Sequence, residues 1–222
     1  MSPLKTSAPH MFGGTVSRAT SVGLVASAGA AIGAAWWLSD RAPYPYAQHR
    51  LLDLQLPFLS KAAVSAMLSP RRGERILEIG PGTGLHAMHV AALLGPDGTL
   101  DVLDIQQDML DHIDRRAARD GIPNLATHRG DARELPFAAS VFDAVYMVTA
   151  LGEIPEPQRV LREAGRVLKP GGRIVVGEFF DRHWIPFGRL HRQADACGLH
   201  LTARRGPSTA YVARFRTCAA AD

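Results

Sequence analysis

Arg75-Ile76-Leu77-Glu78-Ile79-Gly80-Pro81-Gly82-Thr83-Gly84 decides how this chain of 222 residues is read. It opens as a short apolar strand, Ile76 to Ile79, carrying one carboxylate at Glu78, and closes on three glycines at alternate positions. Leu85 to Leu94, rich in Ala, Met and Leu, then has the composition of a helix. Glycine suits such a loop because the chain must turn sharply and bring bare backbone against a ligand, which a Cβ would obstruct. A helix beginning there aims its unpaired N–H groups and the positive end of its dipole at that ligand. The stretch therefore reads as a nucleotide-type cofactor site at the carboxyl end of the first strand of an α/β sheet.

The glycine spacing alone leaves the cofactor open. A dinucleotide fingerprint needs G-x-G-x-x-G or a final Ala. Counted from Gly80, the third small position is Leu85, which fails. Counted from Gly82, the run Gly82, Gly84, Ala87 satisfies the fingerprint but begins two residues late. Glu78-x-Gly80-x-Gly82-x-Gly84 also resembles the first motif of the class I S-adenosyl-L-methionine-dependent methyltransferases.

Downstream, Gly95-Pro96-Asp97-Gly98 is a turn, and Thr99 to Leu103 a second strand ending in Asp104. Asp104 falls twenty positions past Gly84, where a strand-end carboxylate accepts both ribose hydroxyls; a cap for the helix from Gln106 is the plainer reading. A helix is predicted over Gln107 to Arg119, with Met109, Leu110 and Ile113 inward and Gly121 as its stop. Leu125–Arg129, Phe142–Val148 and Arg173–Glu178 read as strands three to five. Between the last two come a helix from Gln158 to Leu168 and a turn through Lys169-Pro170-Gly171-Gly172. A helix over Phe187 to Cys197 precedes two final strands, Leu199–Ala203 and Ala210–Phe215, whose short connection predicts antiparallel neighbours. The expected fold is α/β, a Rossmann-like doubly wound, mostly parallel seven-stranded sheet with a C-terminal antiparallel hairpin.

Gly130-Asp131-Ala132 with Leu135-Pro136-Phe137, then Phe142-Asp143, then Arg166-Val167-Leu168-Lys169-Pro170-Gly171-Gly172-Arg173 repeat the resemblance in one frame. Over about residues 60–216 the chain resembles the small-molecule class I methyltransferases, in the branch of ubiquinone/menaquinone C-methyltransferases and phospholipid N-methyltransferases. That resemblance implies S-adenosyl-L-methionine as cofactor. It assigns Gly80, Gly82 and Gly84 to the methionine end, Asp104 to the ribose, and Asp131 with Ala132 to the adenine. Ile105, Val148 and Glu78 are counted with the same site, Glu78 through water to the amino group or through a loop hydrogen bond. The implied activity is in-line methyl transfer to a small, hydrophobic or lipid-like acceptor. An NAD(P) oxidoreductase and a non-catalytic, membrane-tethered cofactor-binding scaffold are the alternatives.

Because the sulfonium methyl is already electrophilic, the chain need supply only position and, where required, a base. Glu153 after the fourth strand, Glu178 at the end of the fifth and His183 beyond it are the catalytic candidates, each weighed against an ordinary packing or loop-ordering role. His86 and His89 share a helix face without the partner set a metal needs, so no metal is expected.

The ends of the chain read differently. Residues 1–39 contain no Asp or Glu, and Val22 to Leu38 is an apolar run closed by Trp36-Trp37. At about 1.5 Å per residue it would extend about 25 Å as a helix, short of the ~30 Å hydrocarbon core. A membrane anchor, a mitochondrial targeting segment and an Ala/Gly helix without such a role are its three readings. The domains are thus expected at 1–40 (anchor or targeting segment), 41–70 (connector and lid or packing helix, with Tyr44, Tyr46 and His49) and 71–222 (methyltransferase domain). The expected location is cytoplasmic with the N-terminal segment as anchor, or mitochondrial. The charge of +4 comes almost wholly from scattered Arg, with Lys only at 5, 61 and 169, so no nucleic-acid partner is expected. Cys197 and Cys218 form no C-x-x-C pair and read as reduced, structural thiols.

Overall fold

The computed structural model describes residues 59–217. The expectations for Val22–Leu38, for Tyr44, Tyr46 and His49, and for Cys218 lie outside those residues. The chain enters through α1 (Lys61–Leu68), whose first turn is capped by the Ser60 hydroxyl accepting from Ala63 N. It continues through β1 (Arg75–Ile79), α2 (Leu85–Leu94), β2 (Thr99–Asp104), α3 (Gln107–Asp120), β3 (Leu125–Arg129) and β4 (Phe142–Val148). After a 3₁₀ turn at Leu151–Glu153 come α4 (Pro157–Val167), β5 (Leu168–Phe179), α5 (Phe187–Asp195), β6 (Leu199–Arg205) and β7 (Ala210–Thr217).

The seven strands form one sheet in the order β3-β2-β1-β4-β5-β7-β6. β3 through β5 run parallel, and β7 is antiparallel to both β5 and β6. Helices cover both faces, so the central strands are apolar on both sides. Alternate residues divide between two cores. Leu77, Ile79, Val145 and Val176 pack with α4 and α5 on one face; Ile76, Val102, Tyr146 and Val175 pack with α1, α2 and α3 on the other.

Two features go beyond the expected plan. The last strand in sequence, β7, lies inside the sheet, and β6 takes the edge. Burial explains the choice: Tyr211, Ala213 and Phe215 join one core while Val212 joins the other. β6 instead exposes His200, Thr202, Arg204 and Arg205, which a solvated edge tolerates and which deter pairing with other chains. Secondly, β5 begins at Leu168, five residues before the expected Arg173. Its register to β4 jumps between Phe142↔Leu168 and Ala144↔Arg173, so Lys169-Pro170-Gly171-Gly172 bulges out of the ladder, a place where Pro is tolerated. Lys169 Nζ closes the bulge on Asp143 at 2.8 Å.

Arg173 fastens α1 to the sheet. Its guanidinium pairs with Glu74 at 2.6 Å and donates to the carbonyls of Leu68 and Ser69, the residues that end α1. Both partners of the ion pair are about nine-tenths buried. Removing one member of such a pair strands the other, so Arg173→Met is expected to cost about 3 kcal/mol in urea unfolding of the full chain. The double change Arg173→Met with Glu74→Leu is expected to recover part of that loss, because no buried charge is then left alone.

Candidate cofactor and acceptor site

The glycine loop is closed by backbone contacts. Gly80, Gly82 and Gly84 have φ of +66°, +53° and +79°, all left-handed. Gly80 N donates to Leu103 O at 2.9 Å, linking the ends of β1 and β2. A Cβ on Gly80 would lie 2.5 Å from the Ala150 Cβ, so the loops after β1 and β4 touch with no room for a side chain between them. From α3, Arg116 Nη1 donates to Thr83 O at 3.0 Å and fixes the loop from outside.

Glu78 is 2% exposed, and its carboxylate accepts the Tyr146 hydroxyl at 2.6 Å. The two residues are register partners on β1 and β4. Burial pushes the Glu78 carboxyl up to about 8, with the Tyr146 hydrogen bond pulling the other way. Tyr146 had no sequence signal as a functional residue; only the strand pairing reveals it. An unfolded glutamate titrates near 4.5, so between about 4.5 and about 8 the folded chain holds a proton that the unfolded chain has released. Stability from this group therefore falls as pH rises across that window. Glu78→Gln removes the term, and its melting temperature is expected to gain on the wild type progressively from about pH 5 to about pH 9, as read by scanning calorimetry.

Asp104 lies at the end of β2, and its Oδ1 accepts Gln106 N at 2.9 Å; Gln106 is itself the N-cap of α3, so Asp104 orders the turn before the helix and does not occupy the cap position. Burial raises its carboxyl, while the N–H groups of Gln106 and Ile105 oppose the shift. Ile105 beside it is 56% exposed, an apolar surface at the rim of the sheet. Gly130 N donates to Asp104 O at 3.0 Å, which brings the end of β3 alongside. There Asp131 is gripped by Arg133, through the backbone N at 2.8 Å and Nη2 at 2.7 Å, so its carboxyl sits below the usual range. Ala132 is buried, and Val148 is half-buried at the end of β4, packed toward Gly177 of β5. The sheet order thus gathers Glu78, the glycines, Asp104, Ile105, Asp131 and Ala132 on the β3-β2-β1 side of β4.

Glu153, Glu178 and His183 fall on the other side, at the carboxyl ends of β4 and β5. Glu178 is 2% exposed, and its Oε1 meets no hydrogen-bond donor among the described residues. Burial drives its carboxyl well above the usual range, Asp181 adds to the shift, and the N–H groups of Ile185 and Gly152 partly offset it. The carboxyl therefore sits between the loop after β4 and the loop after β5. Those loops are in direct contact, since a Cβ on Gly152 would overlap the His183 carbonyl. His183 is buried, with its backbone N donating to Asp181 Oδ1 at 2.8 Å. Tyr211 of β7, another residue without a sequence signal, donates its hydroxyl to Ile185 O at 2.7 Å and anchors the same loop. Glu153 ends the 3₁₀ turn and is half-buried.

His86 is buried on α2, and desolvation, with the Lys61 and His89 charges, lowers its imidazole to about 4. It is a neutral core side chain at physiological pH. Among the described residues no cluster of three or more His, Cys, Asp or Glu side chains could hold a metal ion.

Residues 76–172 match a family described as a methyltransferase domain. The ubiquinone/menaquinone biosynthesis C-methyltransferase of Vibrio parahaemolyticus is 33% identical over 138 residues, covering 61% of this chain and 52% of that protein. The demethylmenaquinone methyltransferase of Beutenbergia cavernae is 36% identical over 143 residues, covering 64% and 55% respectively. The chain spans about half the length of these curated relatives. Among solved structures, an S-adenosylmethionine-dependent methyltransferase from Aquifex aeolicus superposes with a TM-score of 0.71 at 17% identity, over 78% of this chain and 99% of that one. The [4+2]-cyclase SpnF gives 0.65 at 21% identity, over 82% and 86%. At such identities the structural likeness shows the fold alone, and a cyclase on that fold is a reminder that the site has to carry the argument.

Proposed function

We propose that this chain, whose residues 76–172 match a methyltransferase domain, uses S-adenosylmethionine to transfer a methyl group to a small hydrophobic acceptor of the quinol class. The observation that carries this reading is the left-handed Gly80-Gly82-Gly84 loop, tied by hydrogen bonds along neighbouring strand ends to the carboxylate-bearing ends of β2 and β3, within the matched segment. The acceptor class comes from the names of the relatives, a ubiquinone/menaquinone biosynthesis C-methyltransferase and a demethylmenaquinone methyltransferase.

The residues present fit an adenosyl sulfonium cofactor. The glycine loop sets three left-handed residues without side chains of their own at the end of β1, as a close approach of backbone to a ligand requires. Asp104 would accept ribose hydroxyls, and the exposed Ile105 would lie against the flat adenine. Asp131, kept ionised by Arg133, would accept from the adenine amino group. When bound, the cofactor would supply an electrophilic methyl on sulfur, to which an electron pair of the acceptor would bond as the carbon–sulfur bond breaks, the acceptor giving up a proton. The chain's part is chiefly placement, since holding two reactants in line can account for roughly 7–11 kcal/mol of barrier. Glu153 is the candidate to receive the proton. Glu178 and His183, buried against loop backbone, fit the ordering of the acceptor side.

The reading extends to location. Val22–Leu38, closed by Trp36-Trp37, would hold the domain at the cytoplasmic face of a membrane, where apolar quinols partition. No helix of the described residues is long and apolar enough to cross a membrane, so this part rests on that run.

Isothermal titration of the full chain with S-adenosylmethionine, S-adenosylhomocysteine and NADH tests the cofactor. Micromolar binding of the first two and none of NADH is expected. Asp104→Ala is expected to weaken both by roughly tenfold to a hundredfold, the worth of a charged hydrogen-bond acceptor. NADH binding in their place would overturn the reading.

A further inference from the structure

Thr149, the first residue after β4, has φ of 55°. The left-handed region crowds the Cβ of any L-residue, and a β-branched side chain is a genuine outlier there. The other described non-glycine residues with positive φ are Ser69, Ser140 and Glu156, which sit at helix ends and in a turn and carry no β-branch. Strain of this kind persists where the surroundings over-determine it, and it gathers at functional sites.

The surroundings of Thr149 do over-determine it. Its N–H donates to Gly177 O at 2.7 Å, holding it to β5. The next residue, Ala150, occupies the space that a side chain on Gly80 would need. Leu151 beyond it is fully buried. The chain therefore leaves β4 in a sharp turn directly against the glycine loop, and a glycine at 149 would make that turn without strain. A threonine instead places a hydroxyl at the junction of the two halves of the site. The side chain is half-buried, and no described residue hydrogen-bonds its Oγ1.

We propose that Thr149 is an acceptor-binding residue whose hydroxyl hydrogen-bonds a phenolic oxygen of the quinol and so sets the reacting ring against the cofactor loop. The proposal rests on the methyltransferase reading above and names a residue and a contact that the reading leaves open. The position suits the role: β4 is the strand between the cofactor side, at β1, β2 and β3, and the loops of Glu153 and Glu178. The strained backbone is then what aims the hydroxyl, because an extended residue at the strand end would turn its side chain along the sheet face instead.

The test compares the full-length wild type with Thr149→Gly and Thr149→Ser in three measurements. These are thermal unfolding, titration with S-adenosylmethionine, and labelled methyl transfer to chemically reduced 1,4-naphthoquinone. For Thr149→Gly the melting temperature is expected not to fall and the S-adenosylmethionine Kd to stay within about twofold. Its kcat/KM for the naphthoquinol is expected to drop at least tenfold. Thr149→Ser, which keeps the hydroxyl, is expected to recover most of that loss. Retention of kcat/KM by Thr149→Gly would overturn the proposal, as would an equal drop in Thr149→Ser or a loss confined to S-adenosylmethionine binding. A wild type that binds S-adenosylmethionine yet moves no methyl to the naphthoquinol would also overturn it, leaving the cofactor assignment standing. A wild type that binds no S-adenosylmethionine would remove the underlying reading first, and the titration alone shows which of the two has failed.

Discussion

Gly80 and Ala150 meet with no side chain on one partner and a single methyl on the other, and the arrangement of the site follows from that closeness. The contact brings the loop after β1 onto the loop after β4. The N–H of Gly80 meanwhile reaches Leu103 at the end of β2, and Gly130 reaches Asp104 from the end of β3. The ends of β1, β2 and β3 are thereby joined by main-chain hydrogen bonds, and the end of β4 adjoins them through the Ala150 methyl. A Cβ at Gly80 would push β4's loop outward, and everything arranged beyond it, Thr149 and the Leu151–Glu153 turn included, would move with it. The cost of this closeness is local: three left-handed glycines absorb most of it, and Thr149 carries the rest as strain.

The same end of the sheet holds carboxyls without cationic partners. Glu78 is met by a tyrosine hydroxyl and Glu178 by backbone N–H groups, while Asp104 is met by the N–H groups of its own turn. All three are pushed toward the neutral form by burial. The opposite, amino end of the sheet is built on the contrary rule. There Arg75 with Asp101, Lys169 with Asp143 and Arg173 with Glu74 form close ion pairs at 2.6–2.8 Å. Arg75 and Arg173, two of the arginines behind the positive charge of the chain, are thus structural ties. The amino end of the sheet is fastened by satisfied charge, while the carboxyl end, apart from Asp131 with Arg133, keeps buried acid groups pushed toward the neutral form.

Much of this was legible in the sequence. Periodicity and punctuation locate the seven strands and the four helices α2 to α5 to within about five residues, because glycines, prolines and apolar runs act locally. The loop glycines and Asp104 carry a spacing signature, and Asp131 enters through the family resemblance, so a cofactor side is expected there from the sequence. The connection at Arg205–Ser208 is short enough to require an antiparallel hairpin.

Other features depend on which strands become neighbours, and no local pattern reports that. That β7 rather than β6 pairs with β5 is decided by burial on both faces at once. Tyr146 matters only because it falls opposite Glu78, and Tyr211 only because it reaches the loop after β5. Glu178 reads as a base candidate because it ends a strand beside the acceptor side, and only the fold shows it buried between two loops with its Oε1 meeting no donor among the described residues. Thr149 looks ordinary in the sequence, and its backbone strain exists only once Gly177 holds its N–H and Gly80 lies against Ala150 beyond it. The sequence by itself determined the elements and the chemistry of the glycine loop, since both follow from residues near one another in the chain. Only the tertiary structure decided which side chains share a site, because that depends on burial and on contacts between residues far apart in sequence.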